Sequence, residues 1–405
     1  MKTTIFCGFD WATETHCFVV KNARKEVLAH GPVPNSAEGF DRLLESFETH
    51  RKGGRVALIV EANRGLPLNA LMEVPWLEVF PVNPMKTRRL NELEGSVRQK
   101  SDAGDCSLLC DYLIDNRAKL SERYVERDST FRQMREWIGM EADLINHCRQ
   151  IKQRIISHLN TFMPDLGKLL PDLDKKVYVR YLMDFDPLSL APATEVEDFL
   201  RRHRVRDGRT IKDFVQAHES LRALGSDGGF LAAQRDILQR WATMLWQMRQ
   251  SLKDCQSQIQ ALFRTLPQAD IYRSFPGLGE LLAPRMACLF GSRPSERFRC
   301  KEQAIAYFGQ SPVTEQSGKG VRVNKRRNCH RAARDTCFLW AMSVNKMPKC
   351  HWQRSFLKKH KERGDARPTR YRKLGQKLVG ILYRCVVHNE LYDEAKYCRN
   401  LHQRT

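Results

Sequence analysis

The chain has 405 residues, with 68 lysines and arginines against 47 aspartates and glutamates and a formal net charge of +21. That length exceeds a single small module and suits two or three domains with their own cores, and the charge favours a polyanionic partner, nucleic acid above all. No run of about 18 apolar residues and no secretory leader pattern is present, so neither a membrane-spanning helix nor a signal peptide is expected. The 13 cysteines include no Cys-x-x-Cys pair, which favours reduced, buried thiols in a cytosolic protein over a disulfide frame or zinc knuckle.

In chain order, Thr3–Phe9, Cys17–Lys21 and Glu26–His30 have the β-rich character of three consecutive strands separated by turns, and suit an antiparallel meander. Ser36 can cap a helix that carries Phe40, Leu43, Leu44 and Phe47. A strand at Val56–Glu61, a short helix near Leu68–Met72 and a strand at Leu77–Val82 follow, and Asn83-Pro84 breaks the last of these before Lys86, Arg88 and Arg89. Ser101 can cap a helix holding Asp102, Asp105, Leu108, Leu109, Tyr112 and Leu113. Three strands, helix, strand, helix, strand, helix is the order of a ribonuclease-H-like (RuvC-like) α/β fold, predicted over 1–125.

Residues 126–268 read as a long helical, coiled-coil-like region. Trp137, Leu144, Cys148, Ile151, Ile155 and Phe162 mark one seam, and Leu231, Leu238, Trp241, Leu245, Met248, Leu252, Cys255, Ile259 and Leu262 mark a second. The second seam is long enough for a helix of roughly 45 Å. Periodicity alone leaves open whether the two helices pair within one chain or between subunits. Between them, Pro164–Gly229 reads as a partly helical insertion to which the sequence assigns no chemistry.

A C-terminal, mainly helical domain is predicted over 269–405. Phe275-Pro276-Gly277-Leu278-Gly279 has the form of a helix-hairpin-helix turn, whose glycines, Gly277 and Gly279, could let backbone amides approach phosphate; an ordinary turn between packed helices explains the same residues. After Thr314-Glu315-Gln316-Ser317-Gly318-Lys319-Gly320, residues 319–334 contain Lys319, Arg322, Lys325, Arg326, Arg327, Arg331 and Arg334 without one acid. A solvated helix face usually mixes signs, so this segment reads as a phosphate-backbone contact. Another basic stretch, Lys358 to Lys373, precedes an apolar helix, and its neighbours Trp352, Phe356 and Tyr371 read as core rather than stacking groups.

The chemistry-bearing candidates are four acids. Asp10 and Glu61 each close an apolar strand, and Asp102 and Asp105 are three apart at a helix start, on one face. Carboxylates gathered in this way repel one another unless a cation neutralises them, and oxygen-only ligands suit Mg2+.

Together these residues resemble the insertion-sequence one-ten family of recombinases, transposases with a RuvC-like N-terminal domain and a C-terminal transposase domain. The resemblance rests on Gly8-Phe9-Asp10, Val60-Glu61-Ala62-Asn63-Arg64-Gly65, Val82-Asn83-Pro84, Lys100-Ser101-Asp102-Ala103-Gly104-Asp105 and Pro276-Gly277-Leu278-Gly279. It continues through Phe308-Gly309, Pro312, Gln316-Ser317-Gly318-Lys319, Asn324-Lys325-Arg326-Arg327 and Tyr392-Asp393. The sequence departs from the family pattern at Thr13, Asn63 and Lys319.

The resemblance implies that Asp10, Glu61, Asp102 and Asp105 bind metal and that Ser317 attacks DNA to form a covalent phosphoserine link, with Ser311 a less favoured nucleophile. It also implies donor and target DNA as substrates, a structured noncoding guide (bridge) RNA, a homo-oligomer such as a dimer or tetramer, and a bacterial cytoplasmic, nucleoid-associated setting. Two other readings remain open: a RuvC-like junction nuclease using metal-activated water, and a nonenzymatic nucleic-acid-binding scaffold.

Overall fold

A computed structural model describes residues 3–61, 71, 74–82, 102–120, 126–189, 191–317, 320–347 and 350–395. The predicted short helix near Leu68–Met72 apart from Leu71, the Asn83-Pro84 break, the basic residues Lys86, Arg88 and Arg89, the Ser101 cap and the Gly318-Lys319 pair lie outside the described residues. The chain divides into two compact units, Met1–Ser129 and Thr130–Thr405.

In the first unit, strands β1 (Thr3–Asp10), β2 (Thr15–Lys21), β3 (Val27–Pro34), β4 (Arg55–Glu61) and β5 (Leu77–Val82) form one sheet in the order β3-β2-β1-β4-β5. The first three strands pair antiparallel, and β4 and β5 run parallel to β1. This is the mixed sheet expected of a ribonuclease-H-like fold. The third strand runs on past His30 to Pro34 because it lies at the sheet edge, where a proline's missing N–H costs no ladder bond.

Helix α1 (Ala37–Arg51) starts where Ser36 accepts a hydrogen bond from the Gly39 amide at 3.1 Å. Its Phe40, Leu43 and Phe47 bury against Ile5, Cys7 and Phe9 of β1 and Val56, Leu58 and Val60 of β4. The opposite sheet face, with Phe6, Ala57 and Ile59, packs on Leu109, Cys110 and Leu113 of α2 (Asp102–Asn116). Period-two alternation thus sorts each strand between two helices. It leaves Gly8, Asp10 and Glu61 on the α2 face.

In the second unit, the two long seams are α3 (Ser129–Phe162) and, after four short helices, α8 (Gly228–Arg264). They run antiparallel within the chain: the Cys255 thiol meets the Trp137 carbonyl at 3.2 Å, and His158 hydrogen-bonds the Gln234 carbonyl at 2.9 Å. The intervening α4 (Pro164–Leu169), α5 (Lys176–Asp184), α6 (Ala193–Arg202) and α7 (Gly208–Glu219) close a separate apolar cluster over one stretch of this pair, with Tyr181 at its centre.

A larger cluster joins Phe131, Met134 and Leu144 of α3 and Cys255, Ile259 and Phe263 of α8 to the C-terminal helices. These are α9 (Ala269–Ser274), α10 (Leu282–Phe290), α11 (Pro294–Arg297), α12 (Lys301–Tyr307), α13 (Arg331–Lys346), α14 (His351–Glu362) and α15 (Arg367–His388). Segments 126–268 and 269–405 therefore share one core. Trp352 and Tyr371 are buried in it and Phe356 is packed against it, as their reading as core residues expects. Among the described residues no helix is long and apolar enough to cross a membrane.

Candidate active site and nucleic-acid interface

Strand register places the first two acids side by side. Phe9 of β1 is opposite Val60 of the parallel β4, so the next residues, Asp10 and Glu61, leave neighbouring strands at one sheet edge and on one face. Helix α2 covers that face and begins with Asp102 and Asp105.

Gly8 sets how close the helix can come. A Cβ on Gly8 would lie 1.9 Å from the Cys106 carbonyl oxygen and 2.9 Å from the Cys110 amide nitrogen, so only glycine lets α2 rest on β1 at this point. Three further contacts fix the helix: the Cys106 thiol to the Cys17 carbonyl at 3.2 Å, the Cys110 thiol to the Phe6 carbonyl at 3.2 Å, and the buried Lys21 ammonium to Asp111 at 2.7 Å. Burial pushes the Cys110 thiol up to about 12, and the Cys106 thiol well above its usual range, so both stay protonated packing groups.

The electrostatics register the gathering of charge. Half-burial, followed by the negative charges of Asp102, Glu61 and Asp105, holds the Asp10 carboxyl above the usual carboxylate range. The other three predicted acids therefore act on Asp10. Among the described residues, however, no group of three or more acids, histidines or cysteines is arranged closely enough to enclose a metal ion. The donor set is oxygen-only, the chemistry of a hard divalent cation.

Sequence reasoning passed over His16, which lies on the other face behind this edge. Its Nδ1 accepts the Ala12 amide at 3.2 Å, and its ring stacks on Trp11 with 5.8 Å between centroids. Lys21 and Gly8 are likewise supports whose partners, about 90 residues away in sequence, no local pattern reveals.

In the second unit, Ser317 is the last residue of strand β6 (Val313–Ser317), which pairs antiparallel with β7 (Gly320–Asn324) so that Ser317 is opposite Gly320. The serine motif thus ends one strand of an antiparallel pair, here called the hairpin, an element the sequence reading omitted. Its signal was present in β-branched Val313, Thr314, Val321 and Val323 flanking Gly318-Lys319. Among the hairpin's described side chains only Val313 is half-buried, and Val323 is 64 % exposed. Ser311 precedes the hairpin; its carbonyl accepts a hydrogen bond from Arg326 Nε at 3.2 Å.

Arg322, Lys325, Arg327 and Arg331 are exposed, and Arg326 is half-buried as the brace just described. Lys319 lies outside the described residues. Gly277 and Gly279 differ. At Gly277 (φ +81°) a Cβ would be 2.7 Å from a Val344 methyl and 3.2 Å from the Trp340 ring, and the Trp340 indole donates to the Pro276 carbonyl at 2.9 Å. Packing against α13 accounts for that glycine, whereas Gly279 is exposed with open space where a side chain would go.

Two family models match the chain. Residues 7–164 match a transposase domain of the DEDD type, and residues 269–357 match the model described as transposase, IS116/IS110/IS902 family. With the mixed sheet and its carboxylate edge, this defines a transposase, an enzyme of DNA recombination with a ribonuclease-H-like domain of a type that points to divalent-metal dependence. Across 97 % of this chain and 96 % of its own length, a mini-circle protein for IS117 of Streptomyces coelicolor, whose name describes it as a transposase, is 25 % identical. The 43.6 kDa protein of insertion element IS110 from the same organism is 24 % identical over 96 % of this chain and 95 % of its own length. A 42 kDa protein of IS900 from Mycobacterium paratuberculosis is 21 % identical over 98 % of both. The chain belongs to the IS110 family of transposases.

Proposed function

We propose that this transposase is a site-specific recombinase that cleaves and exchanges DNA strands through a covalent phosphoserine intermediate at Ser317, with Asp10, Glu61, Asp102 and Asp105 holding divalent metal, Mg2+ by the oxygen-only donor set. The observation that carries this reading is the strand register that sets Asp10 and Glu61 on neighbouring strand ends, on the face covered by the helix that begins with Asp102 and Asp105.

Bound metal would polarise a phosphodiester and offset its charge. The acids position it, and the hydroxyl of Ser317 supplies the attack. The Ser317 oxygen bonds to phosphorus as the bond from phosphorus to one bridging deoxyribose oxygen breaks; the serine proton is lost and the departing oxygen gains one. Attack by the incoming strand's hydroxyl reverses both changes and frees the serine, so no oxidant or energy donor is consumed.

Exposed Arg322, Lys325, Arg327 and Arg331, with the open Gly279 turn, are the proposed backbone contacts. A structured guide RNA and a homo-oligomer belong to the same reading, supported by family membership, and a net charge of +21 suits RNA beside DNA.

Ser317→Ala is expected to abolish the protein–DNA adduct seen on denaturing gels with end-labelled DNA while leaving DNA binding within about twofold. Glu61→Gln is expected to lower metal-dependent cleavage by about 100-fold or more. Undiminished cleavage by Ser317→Ala transfers the assignment to a nuclease using metal-activated water, and wild-type cleavage by Glu61→Gln removes the ligand role.

A further inference from the structure

Apart from the serine hairpin, the second unit has a cleft of about 630 Å³ lined by the end of α13, one face of α14 and the start of α15. Arg354, Lys358 and Lys361 lie on that face of α14 at helical spacing, and Arg367 and Arg370 face them from the first turn of α15. Among the described residues no acid lines the cleft. Among the described residues, none of Lys358, Lys361, Arg367 and Arg370 forms an ion pair, while the nearby Asp365 is held by Lys373 at 2.7 Å and His360 at 2.6 Å.

Folding alone gives no reason for this arrangement. Like charges brought together on two helices repel, and cations at a helix N-terminus oppose its dipole. Helix α15 nevertheless begins with Arg367 and Arg370 and no acid, and its N-cap is Ala366, which offers no side-chain acceptor to the first-turn amides. Arg370 Nε is buried and has no hydrogen-bond partner among the described residues. The Arg367 guanidinium is 5.6 Å from the centre of the buried Tyr371 ring, which gives it a fixed seat. An anion in the cleft would answer all of these at once.

We propose that this cleft clamps the phosphodiester backbone of the DNA duplex on which the transposase acts, as a second contact apart from the hairpin's basic run. From Arg354 to Lys361 is about 10 Å of helix, which matches about three successive phosphates of one strand better than a single phosphate ion. Helix α13 carries Arg331 at its start and Asn345, a wall of the cleft, near its end, about 21 Å apart. A duplex lying along α13 would touch both, held at two points about six base pairs apart.

The clamp concerns binding only and rests on the chain's being a transposase, not on Ser317 or metal, so it is tested without metal in the full-length protein. Fluorescence anisotropy with a labelled DNA duplex, titrated from about 50 to 200 mM salt, compares wild type with Lys358→Gln/Lys361→Gln/Arg367→Gln. Loss of three contacts is expected to reduce the slope of log affinity against log salt by about 2.7, so that over this range wild-type affinity falls about 40-fold more than that of the variant. The charge-preserving set Lys358→Arg/Lys361→Arg/Arg367→Lys is expected to keep the wild-type slope. A wild-type slope in the glutamine variant overturns the clamp, as does equal loss in the charge-preserving variant, which would make the effect structural. Weakening confined to an RNA duplex of the same length overturns the DNA assignment.

Discussion

The sheet edge of the first unit and the hairpin of the second carry the two halves of the proposed chemistry, and they are built on opposite physical terms. Asp10 and Glu61 end strands sandwiched between α1 and α2, in a region where Ile5, Cys7, Val56 and Leu58 are almost wholly shielded from water. Ser317 ends a strand of an exposed two-stranded ribbon, a form that is marginal in water without a covering partner. The difference teaches that the carboxylates are set by folding, whereas the described part of the strand pair that carries Ser317 has little burial to hold it.

The strongest way to break that comparison is to disturb the sheet. Gly8→Ala forces a methyl into the Cys106 backbone, which cannot move aside like a flexible side chain. It is expected to cost about 3 kcal/mol in the first unit, read by urea unfolding, and to reduce metal-dependent cleavage further by displacing Asp102 and Asp105. Wild-type stability would show that α2 does not depend on this approach.

A smaller effect sharpens the electrostatic side. Because the folded-state pKa of Asp10 is raised, the native protein binds more protons here than the unfolded chain just above the ordinary carboxylate range, so stability contributed by this group falls as pH rises through that window. In chelator, Asp10→Asn is therefore expected to raise the melting temperature at neutral pH by roughly 1–2 °C, solvent screening keeping the gain small. The gain should vanish at a pH low enough to protonate the wild-type carboxyl. A lower melting temperature at neutral pH would contradict the repulsion. Least of all, Val323→Thr in the hairpin is expected to change stability by no more than about 0.5 kcal/mol; a loss of several times that would mean the ribbon is packed rather than exposed.

The same contrast decides what the sequence made legible. The central strands follow from unbroken apolar runs such as Val56–Val60, which a sheet covered on both sides writes into residue order, and the Ser36 cap follows from a hydroxyl placed just before an apolar helical pattern. The long helices were equally plain from their seams, although only the fold shows that they pair antiparallel within the chain. The serine-bearing strand pair left a weaker trace, β-branched residues on either side of Gly318-Lys319, because strands with little burial show no long hydrophobic period. Gly8 and Lys21 meet α2 across long stretches of chain, and Gly277, which read either as a phosphate approach or as a turn between packed helices, makes room for Val344 and Trp340. Their meaning depends on contacts that no window of sequence contains.

Gly8 has one more consequence. Its missing side chain sets how closely the helix that begins with Asp102 and Asp105 approaches the strand that ends at Asp10, so the spacing of these acids could be retuned only by rebuilding an entire helix seat. Drift in loops and surfaces around that seat could then be wide, while the approach of helix to strand stayed fixed.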